Sequence, residues 1–164
     1  MSLRTEAYYR AVATEALGSL RCEEPPVPID ALVSALGIPV RAVSLPDFFT
    51  GALVYEDGLP VIVLNWSKPE PERRVALAHM LGHVLLVLHG EGESFPRDQG
   101  DHRGADLVAS ELMLPTQMVA EQARLWFNDF RYLARLFGVS EEQMLERMRQ
   151  MGLISGPQGV VWDY

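Results

Sequence analysis

Apolar and polar positions follow two rhythms along the chain, and each change of rhythm marks a new element. Residues 3 to 20 carry charges among apolar positions at helical spacing, and Gly18 with the proline-rich "CEEPPVP" ends that helix. "PIDALVSALG" is a second, short helix, with Pro28 at its start and Gly37 as its stop. The period then shortens. "IPVRAVSL" alternates as a strand, and "GALVYEDGLPVIVLN" holds two β-rich runs around Asp57-Gly58, a pair suited to a tight hairpin turn. A small antiparallel three-stranded sheet is expected. The helical period returns in "KPEPERRVALAHMLGHVLLVLHG", entered through Pro69 and Pro71 and closed by Gly90. A polar loop, residues 91 to 100, leads to the helix "DHRGADLVASELML", which stops near Pro115. Residues 116 to 152 are helical with a break at "FGVS", and the tail "GPQGVVWDY" is either an edge strand or a surface segment. Helices and strands in separate blocks predict an α+β fold.

At 164 residues the chain is long enough for one domain with a proper core, and the expectation is a single domain over residues 1–164. The opening segment reads as an amphipathic helix and not as a leader peptide. The central apolar run is too short, and too interrupted by histidine, to cross a bilayer. Cys22 stands alone, which excludes an internal disulfide and fits a reducing cytoplasm. A net charge of −8 argues against a phosphate-binding surface over most of the protein.

The chemistry concentrates in "VALAHMLGHVLLVL", residues 75 to 88, where the two polar side chains are His79 and His83. Burying an imidazole without a partner costs roughly 1–3 kcal/mol. Two histidines at i and i+4 share one helix face, with Cβ atoms about 5–6 Å apart. That spacing lets both rings reach one metal ion at about 2.0–2.1 Å per Zn–N bond. The alternative is two core histidines, each bonded to its own backbone carbonyl. An otherwise apolar helix offers few such partners and favours the metal.

With these residues in view, "RRVALAHMLGH" resembles the R-x-F-T-x-A-H-E-x-G-H signature of the ImmA/IrrE family of zinc metallopeptidases. "PIDALVSALGIPV" is similar to that family's opening helix and first strand, and "GALVYEDGLPVIVLN" to its hairpin. "ADLVASELMLP" resembles its next helix, and "LARLFGVSEEQMLERMRQMGL" its closing helices. The resemblance implies a compact zincin-like α+β domain, with zinc or another divalent first-row metal held between two helices. It also implies a protein substrate or partner, a helix-turn-helix transcriptional repressor, held extended along the hairpin edge.

This chain departs from the signature at two positions. In an H-E-x-x-H site the histidines bind the metal and the glutamate is the general base. Here the motif reads His79-Met80-Leu81-Gly82-His83, and a thioether has no usable proton affinity near neutral pH. Losing a positioned base costs on the order of 10²–10⁴ in rate. The family's third ligand, a glutamate three residues before the Ala-[Asn/Asp] pair, falls by count from Ala105 on His102. The resemblance therefore gives His79, His83 and His102 as metal ligands, with Asp101 the alternative to His102. Asp106 follows one turn after His102, and by resemblance it orients a ligand histidine through the far ring nitrogen.

Other polar residues are given blander roles. His89 lies off the ligand face and reads as a residue of the helix C-terminus. Glu91, Glu93, Asp98, Asp101 and Glu111 show no spacing that picks out a replacement base, and each is expected to be a solvated surface charge. Residues 116–152 look like a helix-turn-helix pair that is not an independent domain. Its second helix opens with Glu141 and Glu142, which would face phosphates, so direct nucleic-acid binding is not expected. Two functional expectations result. One is a cytoplasmic, regulatory metallopeptidase-like protein, involved in transcription regulation or stress response, whose peptidase chemistry is impaired by Met80. The other is a metal-binding pseudoenzyme that binds or senses without cutting.

Overall fold

The computed structural model describes residues 5–91 and 102–155. Residues 92 to 101, which take in most of the expected loop 91–100 with Glu93 and Asp98 as well as Asp101, and the tail from residue 156 lie outside the described residues. The chain divides into two compact units: one takes residues up to Cys22 and again Pro28–Met113, the other Glu23–Val27 and the chain from Leu114 on.

The first unit opens with helix α1 (Glu6–Leu17), N-capped by Thr5, whose side chain accepts from the Tyr8 amide. Helix α2 (Ile29–Ala35) follows Pro28, as the pattern predicts. Three strands come next, β1 (Val40–Val43), β2 (Gly51–Glu56) and β3 (Leu59–Asn65). The hairpin forms where expected, and Asp57 and Gly58 take positive φ of 52° and 79°, the geometry of a two-residue turn.

The sheet order corrects the expected antiparallel arrangement. The order is β1-β3-β2, with β2 antiparallel to β3 but β1 parallel to it, so the sheet is mixed. Burial explains the order. β3 buries Val61, Ile62, Leu64 and Asn65 and takes the centre, whereas β1 is exposed along most of its length and suits an edge.

Helix α3 (Glu70–Leu86) is apolar on nearly every side in its second half, burying Leu77, Ala78, Leu81, Val84 and Leu85. It ends in a π turn, Val87–Glu91, where Gly90 takes φ 90° and stops the run. Helix α4 (Arg103–Met113) packs along α3, and α1 packs along α4. Two glycines set how closely these helices approach. A Cβ on Gly82 would stand 2.6 Å from the Ala105 carbonyl oxygen, and one on Gly104 would stand 2.6 Å from the Tyr9 ring. At Gly82 the clash is with backbone, so only a residue without a Cβ fits there, whereas at Gly104 the Tyr9 ring would have to shift.

The second unit holds α5 (Thr116–Leu125), α6 (Phe130–Phe137) and α7 (Glu141–Gln150). The sequence pattern finds the break at Gly138, which caps α6 in the left-handed conformation with φ 67°. It misses a second break, where Phe127 and Asn128 take φ of 53° and 58° and Asp129 caps α6 by accepting from the Tyr132 amide. The segment 116–152 is thus three helices and not one pair. Ser140 and Gln143 form a reciprocal capping box at the start of α7. Buried Arg147 donates from Nε to the Leu114 carbonyl at 3.1 Å and from Nη2 to Thr116 Oγ1 at 2.9 Å. Among the described residues no helix is long and apolar enough to cross a membrane.

Candidate metal centre

Helices α3 and α4 bring three of the four histidines together. His79 and His83 lie one turn apart on α3, and the Gly82–Ala105 approach sets that face against the start of α4, where His102 immediately precedes Arg103. His83 Nε2 stands 3.1 Å from His79 Nε2 and 3.0 Å from His102 Nδ1. The three donor atoms lie within 4.8 Å of one another, a group that could hold a metal ion. His83 is buried, and the other two rings are partly open.

Hydrogen bonding alone does not account for this arrangement. A ring nitrogen carries either one proton or one lone pair, so His83 Nε2 can bond one of its two neighbours and not both. A cation between the rings satisfies all three lone pairs at once. Three nitrogens about 2.0–2.1 Å from one tetrahedral zinc ion stand roughly 3.3 Å apart. The His83 distances fall just inside that value, so the residues present fit such an ion.

Asp106 completes the geometry. Its Oδ1 lies 2.8 Å from His79 Nδ1, one turn along α4 from His102. Accepting a hydrogen bond from Nδ1–H there would fix the His79 tautomer, so that the Nε2 lone pair faces the cluster. His83 is pushed down to about 4 in pKa, chiefly by burial, then by the His79 and His102 rings, with Asp106 acting in the opposite direction. A ring that resists protonation keeps its lone pair free at neutral pH.

Met80 does not complete an acid–base site. A Cβ on Gly51, the first residue of β2, would stand 3.7 Å from the Met80 methyl, so the side chain lies against the edge strand. Its sulfur is at best a weak acceptor. His89 stands apart from the cluster, bonded to Leu85 and Glu15, in keeping with its place at the helix end. Glu111 is a correction. It is buried, not solvated, and lies 3.8 Å from Arg10 Nε on α1. It belongs to the α1–α4 packing and takes no part in the histidine group.

One organising residue has no sequence signal. Asn65 is fully buried at the end of β3, and its side chain bonds the backbone of Leu45, Pro46, Phe49 and Ser67. It pins the loop that leads into β2 beside Met80. Its partners lie up to 20 residues away in the chain, out of reach of any local pattern.

Comparison with known proteins bears on the fold and the family. A search of curated proteins gives no match. Among solved structures, a Mycobacterium tuberculosis transcriptional regulator is similar, with a TM-score of 0.61 at 19% identity over 88% of this chain. This chain spans 46% of that protein's length, and the likeness speaks for the fold alone. The family model described as the IrrE N-terminal-like domain, a peptidase family, matches residues 33–149 and takes in both α3 and α4. The chain belongs to that IrrE N-terminal-like peptidase family.

Proposed function

We propose that this protein is a cytoplasmic, regulatory metal-binding member of its family, acting through a helix-turn-helix repressor partner, with peptidase chemistry impaired at Met80. The observation that carries the reading is the convergence of three imidazoles on one point while the position between the two α3 histidines holds a thioether. His79, His83 and His102 would hold zinc or another divalent first-row ion, and Asp106 keeps the proton on the far nitrogen of His79. When bound, the ion supplies Lewis acidity. Met80 cannot take up a proton, and no other acid among the described residues joins the histidine group. The family match spans both compact units, which supports one domain over residues 1–164 in place of two independent ones.

Met80 also favours a second reading, a pseudoenzyme that keeps the metal and binds its partner without cutting. The two are separated by incubating metal-loaded protein and its Met80→Glu variant with helix-turn-helix repressors. Cleavage by the variant, and at least a hundredfold more slowly by the natural chain, supports impaired chemistry. Cleavage by the variant alone supports the pseudoenzyme. Equal cleavage by both would overturn the role given to Met80.

A further inference from the structure

His89 is the one histidine that the metal centre does not use. It sits in the π turn after α3, with Nδ1 2.8 Å from the Leu85 carbonyl oxygen and Nε2 3.1 Å from Glu15 Oε2 on α1. Neither partner can donate. A carbonyl only accepts, and so does a carboxylate in its ionised form at neutral pH. A neutral imidazole has a single N–H, so one of its nitrogens would direct a lone pair at an oxygen about 3 Å away. Only the doubly protonated ring satisfies both contacts. A helix C-terminus, with its outward carbonyls, also favours a cation there.

We infer that His89 is held as an imidazolium and works as a pH-sensitive strap, tying the end of the helix that carries His79 and His83 to α1. Among the described side chains, Glu15 is the charged group that faces it from α1. Elsewhere on α1, Arg10 faces Glu111 of α4 at 3.8 Å and Glu6 faces Arg103 at 3.5 Å. Helix α1 also meets α4 through Tyr9 and Gly104, so it braces both helices that bear the histidine cluster. The strap is complete while His89 is charged. It loses one of its two bonds as pH rises through the titration of that ring, and the end of α3 then loosens. The link from strap to metal centre rests on the metal-binding reading, whereas the charge state of His89 does not.

Imidazole ¹⁵N–¹H correlation spectra of the full chain test this directly, with the His89 signals assigned by their loss in His89→Gln. The expected result is two ring N–H groups at pH 7 and a midpoint roughly one pH unit above the ordinary 6.5, a tenfold gain in proton affinity. Glu15→Gln should return the midpoint to the ordinary range. Amide exchange at Leu88–Gly90, corrected for intrinsic rates, should quicken between pH 6 and pH 8.5 in the natural chain but not in Glu15→Gln. A neutral ring at pH 7, or a midpoint that Glu15→Gln leaves in place, would overturn the strap. Loss of metal binding with the His89 midpoint still raised would instead count against the metal-binding reading.

Discussion

At the scale of single residues, the cluster works through differences between chemically similar rings. His83 is the buried one, and its depressed pKa has a consequence in metal-free protein. Above about pH 6.5 the ring is neutral both folded and unfolded, and the shift has no effect on stability. Between that pH and about 4, the unfolded chain binds a proton that the folded chain refuses, so stability falls as the pH drops through this window. The urea midpoint of metal-free protein should therefore fall from pH 7.5 to pH 4.5, and fall less in His83→Gln. Asp106 acts on a different quantity. Removing the carboxylate that fixes the His79 tautomer should weaken metal binding about 10–100-fold, and a competition titration of Asp106→Ala against a chelator measures it. His79 and His83 were legible in the sequence because polar residues are conspicuous in an apolar run. The position of His102 came from the resemblance, supported by Asp106 one turn later, and Asp101 beside it stayed an alternative.

At the scale of elements, the closeness of α3 and α4 decides whether three rings can meet. Gly82 is central to it. An alanine there would gain about 1 kcal/mol in helix propensity, but its Cβ would lie 2.6 Å from the Ala105 carbonyl oxygen and force the helices apart. We predict a net loss of about 1–2 kcal/mol in chemical denaturation, together with weaker metal binding, because the rings on the two helices separate. An alanine variant with unchanged stability and affinity would show that the close approach is not required. The elements themselves were largely readable. Pro28, Asp57-Gly58, Gly90 and Gly138 each mark a boundary by local backbone chemistry. Strand order was not readable, because hairpin signals fix neighbours in sequence and say nothing of which side of β3 receives β1. The break at Phe127 and Asn128 escaped because a bulky residue such as Phe127 is rarely found at a left-handed position, even though Asn128 is suited to one. Glu111 was misjudged because its burial depends on α1, an element about a hundred residues earlier in the chain.

At the scale of the whole molecule, the family match covers both helices that carry the histidine group, and the departures from the signature that the sequence resembles fall at Met80 and His102. Both replace a carboxylate by an uncharged side chain, so a divalent ion here would keep more of its charge than in a site holding two carboxylates. Under the proposed function, that combination would leave a bound ion without a carboxylate base beside it. The account stands first on the three rings sharing one ion. Metal-free chain should be mixed with excess zinc, freed of unbound metal by gel filtration and analysed for its elements, beside His83→Ala and His102→Ala. The account predicts about one zinc retained per natural chain and far less in either variant. No retained metal, or equal retention in all three proteins, would contradict it.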